Sequence, residues 1–375
     1  MKIKKNSVWT LLAIAVLLFV VLYIFPKFFS VSYTKGGEAT QIKEVANMVT
    51  PPILPLDIVA YDKKLEEIAN NLLPSKPTTK VVKDPKTGVE TTVTIEPKPL
   101  PPNIWPVKTV YPNAGAILPF HRIIAYYGNL YSTKMGVLGQ YPEKEMLERL
   151  DVEVKKWEAA DPATPVLPAL HYIAVVAQAS AGTDGKYRAR MPEAEINKVL
   201  AIAEKINAIV FLDIQVGLSD LQTEVPLLEK YLKLPNVHLG VDPEFSMKTG
   251  IRPGKIVGTL DATDINFTTN FLAKVVRENN LTPKILVVHR YTQKMLTNYQ
   301  NIKPLPEVEI VMHMDGWGVM AKKIGTYRNF IYPEPVQFTG FKLFYKNDLL
   351  TPGTVLMTPD DLLKLRPKPL YIQYQ

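Results

Sequence analysis

Acids, imidazoles, amides and aromatics collect at the carboxyl ends of a series of short apolar runs. Asp213 and Gln215 close AIVFLDIQ, and Asp242 and Glu244 close VHLGVDPE. His289 and Tyr291 close KILVVHRY, and His313, Asp315 and Trp317 close VEIVMHMDGW. Gln178 ends ALHYIAVVAQ, Tyr127 and Asn129 end HRIIAYYGN, and Lys342 and Gln373 are weaker members on the last two runs. On a strand, positions two apart share a face. Polar groups on an otherwise buried strand are costly unless they are partnered or used. Paired carboxyls of this kind suit cleavage of a sugar linkage, in which one acid protonates the leaving oxygen and a second carboxylate acts as nucleophile or base. Glu244 reads as the acid, because it follows Pro243, shares a face with Asp242, and a neighbouring carboxylate raises one of the two pKa values. Asp242, Asp213 or Asp315 is then its partner. Tyr127, Tyr291 and Trp317 offer flat faces to sugar rings, while Asn129, Gln178, Gln215, His289 and His313 offer hydrogen bonds to hydroxyls.

Each of these residues also has a plainer role. Asp213 can cap a helix, Asp242 before Pro243 can form a turn, His289 can be a satisfied interior histidine, and Tyr127 and Trp317 can fill space. It is their recurrence on six runs that points to a site. Other chemistries lack their signatures. The chain has no cysteine, which excludes thiol nucleophiles, thiolate zinc and disulfides. No Gly-x-Ser-x-Gly elbow, Walker loop or dinucleotide fingerprint occurs. The His-x-His pair with which hydrolytic metal barrels open is missing, since His121 stands alone and at the wrong end of its run. His289, His313, Asp315 and Asp213 lack tight ligand spacing, so neither metal nor cofactor is expected. Lys342 has only its position to commend it as a Schiff-base lysine.

The elements that must position these residues are eight in number: 121–128, 169–178, 208–215, 237–242, 284–291, 308–315, 337–345 and 370–374. Amphipathic stretches at 142–160, 192–206, 225–234, 263–279, 292–302 and 319–331 read as helices between them, and Thr358-Pro359 opens one more. Near-continuous apolar strands covered by helices indicate a parallel sheet. Eight such units over about 260 residues match a (β/α)8 TIM barrel, whose sites form at the carboxyl ends of the strands. An open doubly wound sheet is the runner-up, but the first strand lacks its glycine-rich loop. The last helix of a barrel is missing, and the helical segment near residues 56–73 is a candidate to cover the gap.

Ahead of this α/β domain, taken as residues 113–375, the sequence has a different character. Residues 1–7 carry Lys2, Lys4 and Lys5, and 8–25 (VWTLLAIAVLLFVVLYIF) is long and apolar enough for one membrane span. The preceding lysines predict a cytoplasmic amino end and an extracytoplasmic bulk. Residues 26–112 read as a proline-rich stalk, with twelve prolines from Pro51 to Pro112. Within it the pattern predicts a helix over 56–73 capped by Asp57, and a hairpin over 80–96 around Asp84-Pro85-Lys86-Thr87-Gly88. The stalk reads as a spacer that can fold back on the barrel. At 375 residues, 47% hydrophobic and 21% charged, the composition is that of a globular protein. The net charge of +8 suits an anionic surface such as a cell wall or lipid headgroups. No basic cluster of the nucleic-acid-binding kind is present.

Residues 115–375 resemble the glycoside-hydrolase-like (β/α)8 barrels, including exported wall-active ones. The resemblance lies in the architecture and in Glu244 of VDPEF at the end of the fourth strand, where many such barrels carry the proton donor. It implies a glycan-active hydrolase. The chain departs from that pattern in having no Asn-Glu pair at this position, no Asp-x-x-Asp-x-Asp-x-Glu series, and Phe344-Tyr345-Lys346 in place of a second glutamate on the seventh strand. Two other readings stand beside it. One is a silent barrel that binds wall polymer. The other is a phosphodiesterase using His289, Arg290 and His313.

Overall fold

The computed structural model describes residues 54–73, 76–97, 100 and 102–375. The expected span at 8–25 and the first part of the stalk lie outside these residues. Among those described, no helix is long and apolar enough to cross a membrane.

Eight parallel strands form a closed barrel: β1 Arg122–Gly128, β2 Val166–Ala177, β3 Ile209–Ile214, β4 Val237–Val241, β5 Lys284–Arg290, β6 Val308–Met314, β7 Phe338–Leu343 and β8 Tyr371–Tyr374. Each pairs with the next, and β8 returns to β1 through Tyr371–Ile123 and Gln373–Ala125. All eight lie inside or within a few residues of the apolar runs, because both faces of such strands are buried. One face fills the lumen, where Ile123, Ile209, Ile285, Val311 and Phe338 pack together. The other packs on the helices α2 Glu143–Ala160, α3 Glu193–Glu204, α4 Ala262–Glu278 and α5 Met320–Thr326.

Two expected helices are not continuous. Over 225–234, the chain forms a 3₁₀ turn, Pro226–Leu228, followed by the short helix Glu229–Leu232. Over 292–302 the chain forms two 3₁₀ turns around a two-residue strand, Leu296–Thr297, that pairs with Leu260–Asp261. Side chains from elsewhere hold this segment in place. The Arg290 guanidinium binds the carbonyls of Thr292 and Gln293, and Asp261 accepts from Thr297 and Asn298. Asn298 turns left-handed at φ 56°. Such tertiary competition overrides helix propensity.

The Pro-rich segment holds two elements, as expected. A hairpin pairs 78–83 with 90–95, its strands exposed throughout. Helix α1, Ile58–Ala69, is capped by Asp57, whose carboxylate accepts from the Ala60 N–H at 2.9 Å. Rather than covering the gap after β8, α1 closes the amino-terminal end of the barrel. Tyr61 and Ile68 join the lumen cluster, and Asn70 binds the carbonyls of Leu363 and Leu365 ahead of β8. Its apolar face is drawn there by the otherwise wet floor of the lumen. The outer face of β8 is covered by Trp157 of α2, whose indole donates to the Tyr374 hydroxyl at 3.0 Å, and by Tyr345 stacked on Tyr374.

Glu309 lies in this plugged end and accepts from the N–H groups of Ile117 and Leu118 at 3.1 and 2.7 Å. Burial nevertheless pushes its carboxyl up from 4.5 to about 8. Between those values the folded protein holds a proton that the unfolded chain has released, so Glu309 makes stability fall as pH rises. At about 1.4 kcal/mol per pKa unit, this amounts to a few kcal/mol. Urea melts of wild type and Glu309→Gln at pH 5 and pH 9 should show the loss of stability between the two pH values smaller in the variant by about that amount. Equal losses would show that Glu309 stays ionised.

Candidate active site

At the carboxyl end of the strands a cleft of about 790 Å³ opens. Tyr127, Gln215, Asp242, Glu244, Tyr291, Asp315 and Trp317 line it together with Lys342. Seven of the twelve residues singled out from the sequence therefore meet around one space. Asp213, His289 and His313 lie just beneath it, fully buried. Asn129 and Gln178 stand apart. Asn129 holds a loop, donating to the Ile173 carbonyl and accepting from the Tyr131 N–H, and Gln178, whose N–H pairs with the Tyr187 carbonyl, does not line the cleft.

Asp242 is both the turn former and a lining residue. One of its oxygens accepts from the Glu244 N–H at 3.0 Å and caps the turn Pro243–Phe245, which aims Glu244 at the cleft. The other accepts from the Gln215 amide at 3.3 Å, and Gln215 is itself held by the Ala177 N–H. Burial raises the Asp242 carboxyl well above its usual range, with the Glu244, Asp213 and Asp315 charges adding to it against the pull of His289. Glu244 is half-buried. Burial also raises it, helped by Asp315 and opposed by a hydrogen bond from Tyr291. The neighbouring carboxylate expected to raise one of the pair is thus secondary to burial, which raises both.

Asp315 has the opposite environment. Burial alone would raise it, but Lys342 at 3.0 Å and His289 at 2.9 Å outweigh that and hold it ionised. The Lys342 ammonium also sits 3.8 Å from the centre of the Tyr127 ring. Sequence reasoning ranked Lys342 low, since nothing near it in the chain marks its partner.

Below the cleft, Asp213 receives the Tyr127 hydroxyl on one oxygen at 3.0 Å. Its other oxygen lies 3.3 Å from His171 Nε2 and 3.5 Å from His289 Nε2. Burial opposes ionisation of Asp213, and the two imidazoles overcome it. His289, between Asp213 and Asp315, is driven up to about 10 despite its burial, whereas burial takes His171 down to about 4 against the pull of Asp213. His171 was missed in the sequence because it lies mid-strand rather than at a strand end. Its signal was a titratable residue inside the apolar run ALHYIAVV, which burial forces to find partners. Its Nδ1 lies 2.6 Å from the Tyr371 hydroxyl. Two glycines make room for these rings. A Cβ on Gly240 would come within 2.4 Å of Asp213 and 2.5 Å of His171, and one on Gly340 within 2.6 Å of His313. His171 Nε2, Asp213 Oδ1 and His289 Nε2 together form a donor set of a size that can hold a cation.

Compared with known families and curated proteins, the chain matches no family model and no curated sequence.

Proposed function

We propose that the barrel is a glycan-active hydrolase in which Glu244 protonates the leaving oxygen and Asp315 acts as nucleophile or base. One observation carries this reading: a carboxyl that burial raises above the ordinary glutamate range and a carboxylate held low by Lys342 and His289 line the same cleft. Groups whose environments push their pKa values apart are the mark of an acid–base pair. The walls fit the same substrate class. Trp317 is 48% exposed at the rim, with Lys322 over its ring, and Tyr291 lies beside Glu244. Aromatic faces of this kind pack on the apolar faces of sugar rings, while Gln215 and Asp242 offer polar contacts.

The phosphodiesterase alternative is less well supported. The rings of His289 and His313 are 5.0 Å apart, but both are fully buried beneath the cleft, out of reach of a phosphate in it. With residues 8–25 as an anchor, the hydrolase would face outward, which protease treatment of intact cells can check. The purified full-length chain should be screened against wall and storage glycans for binding and for new reducing ends. We expect both signals on at least one polymer. Binding without new ends would leave a binding barrel, and neither signal would reject the carbohydrate reading.

A further inference from the structure

We infer that the lumen beneath the cleft is a binding site for one divalent first-row metal ion, held by His171 Nε2, Asp213 Oδ1 and His289 Nε2. The three atoms lie within 4.8 Å of one another, come from β2, β3 and β5, and belong to fully buried side chains. None of the three has a hydrogen-bond partner, although the nitrogens lie only 3.3 and 3.5 Å from the oxygen. The rings are therefore near Asp213 without pointing an N–H at it. A tetrahedral ion with bonds of about 2.0–2.1 Å separates its ligands by about 3.3 Å, close to the two nitrogen-to-oxygen separations of 3.3 and 3.5 Å. Leaving three buried polar atoms unpaired is costly for a fold, and a shared cation satisfies all of them at once.

The groups behind the ligands support the same conclusion. A ligating imidazole usually donates its other N–H to a fixed acceptor. His289 Nδ1 lies 2.9 Å from the Asp315 carboxylate, and His171 Nδ1 lies 2.6 Å from the Tyr371 hydroxyl. The far oxygen of Asp213 is held by Tyr127 at 3.0 Å. Each ligand is thus oriented from behind, and the three free atoms lie within 4.8 Å of one another. Gly240 keeps the space beside them clear: its φ lies outside the region that favours glycine, so room rather than backbone conformation explains the residue. Two imidazoles and one carboxylate are the donors that zinc and iron(II) take, with at least one position left open. The ion would hold His289 Nε2 without a proton, leaving the Nδ1 N–H to face Asp315. It would also tie Asp315, through His289, to the lumen floor. The site does not depend on the cleft's being hydrolytic.

The test uses the untagged full-length protein, stripped with a chelator and titrated with Co²⁺ and then Zn²⁺. We expect one equivalent of Co²⁺ to develop the visible d–d absorption of a low-coordinate nitrogen and oxygen site, and one equivalent of Zn²⁺ to bleach it. X-ray absorption of the zinc form should show two imidazoles at about 2.0–2.1 Å. His171→Ala and Asp213→Asn should each weaken binding at least a hundredfold, about the most that changes behind the ligands cause. Tyr371→Phe leaves every ligand in place and should weaken it about tenfold. If the ligand variants do not fold, the wild-type spectra and Tyr371→Phe decide. Folded wild type with no saturable Co²⁺ spectrum, a zinc shell without imidazole, or binding unchanged in every folded variant would each overturn the site and leave a proton-bridged cluster instead.

Discussion

Glu244→Gln should lower turnover by at least about a hundredfold, the usual scale of losing a general acid, while the protein melts close to wild type. Glutamine keeps the size and can still pair with Tyr291, and the side chain is only half-buried, so little folding energy is at stake. The loss should depend on the leaving group. An aryl glycoside with an acidic phenol needs little protonation and should be cleaved nearly as fast by the variant, whereas the natural polymer should not. The pH profile gives a second check. In wild type the alkaline limb reports loss of the Glu244 proton, and burial with the Asp315 charge moves that limb above an ordinary glutamate's. The variant should lack it. An active wild type whose Glu244→Gln form keeps its rate on the polymer would show that the acid lies elsewhere, with Asp242 the next candidate, since burial raises its carboxyl too.

Asp315→Asn should affect both activity and stability. The carboxylate balances Lys342 at 3.0 Å and His289 at 2.9 Å, and all three side chains are buried. An asparagine leaves the buried Lys342 ammonium without its countercharge and His289 Nδ1 without its carboxylate. Breaking such a cluster costs about 3–5 kcal/mol, so the melting temperature should fall by several degrees where Glu244→Gln leaves it almost unchanged. Turnover should fall by about 10³-fold or more in the protein that remains folded, because the nucleophile or base is gone. Circular dichroism at the assay temperature separates the two effects. If the folded variant keeps more than a tenth of the wild-type rate, Asp315 holds the barrel together without entering the chemistry.

Much of this protein was legible in the chain itself. The eight strands stood out because parallel strands buried on both faces are written as unbroken apolar runs, and VHLGVD or KILVVHRY admits few other readings. Alternation then placed the acids and imidazoles at the strand ends, and Asp57 announced the start of α1. The site was readable as a set of positions. Asp242, Glu244 and Asp315 were named from their place on strands four and six, before anything showed that they share a cleft.

Only the tertiary structure decided which of them work on each other. The pairing of Asp315 with Lys342 joins β6 to β7, and that of His171 with Asp213 joins β2 to β3. Such partners are set by the stagger of neighbouring strands, which local sequence does not encode. The same holds for the opposite pKa shifts of Glu244 and Asp315, which follow from burial and from cations brought in from other strands. It holds too for the segment 292–302, whose helical pattern gave way because Arg290 and Asp261 claimed its polar groups, and for α1, which the sequence could form but not dock. The periodicity of a segment reflects its own backbone, whereas the work of a buried polar side chain depends on neighbours that only closure of the barrel brings within 3 to 4 Å.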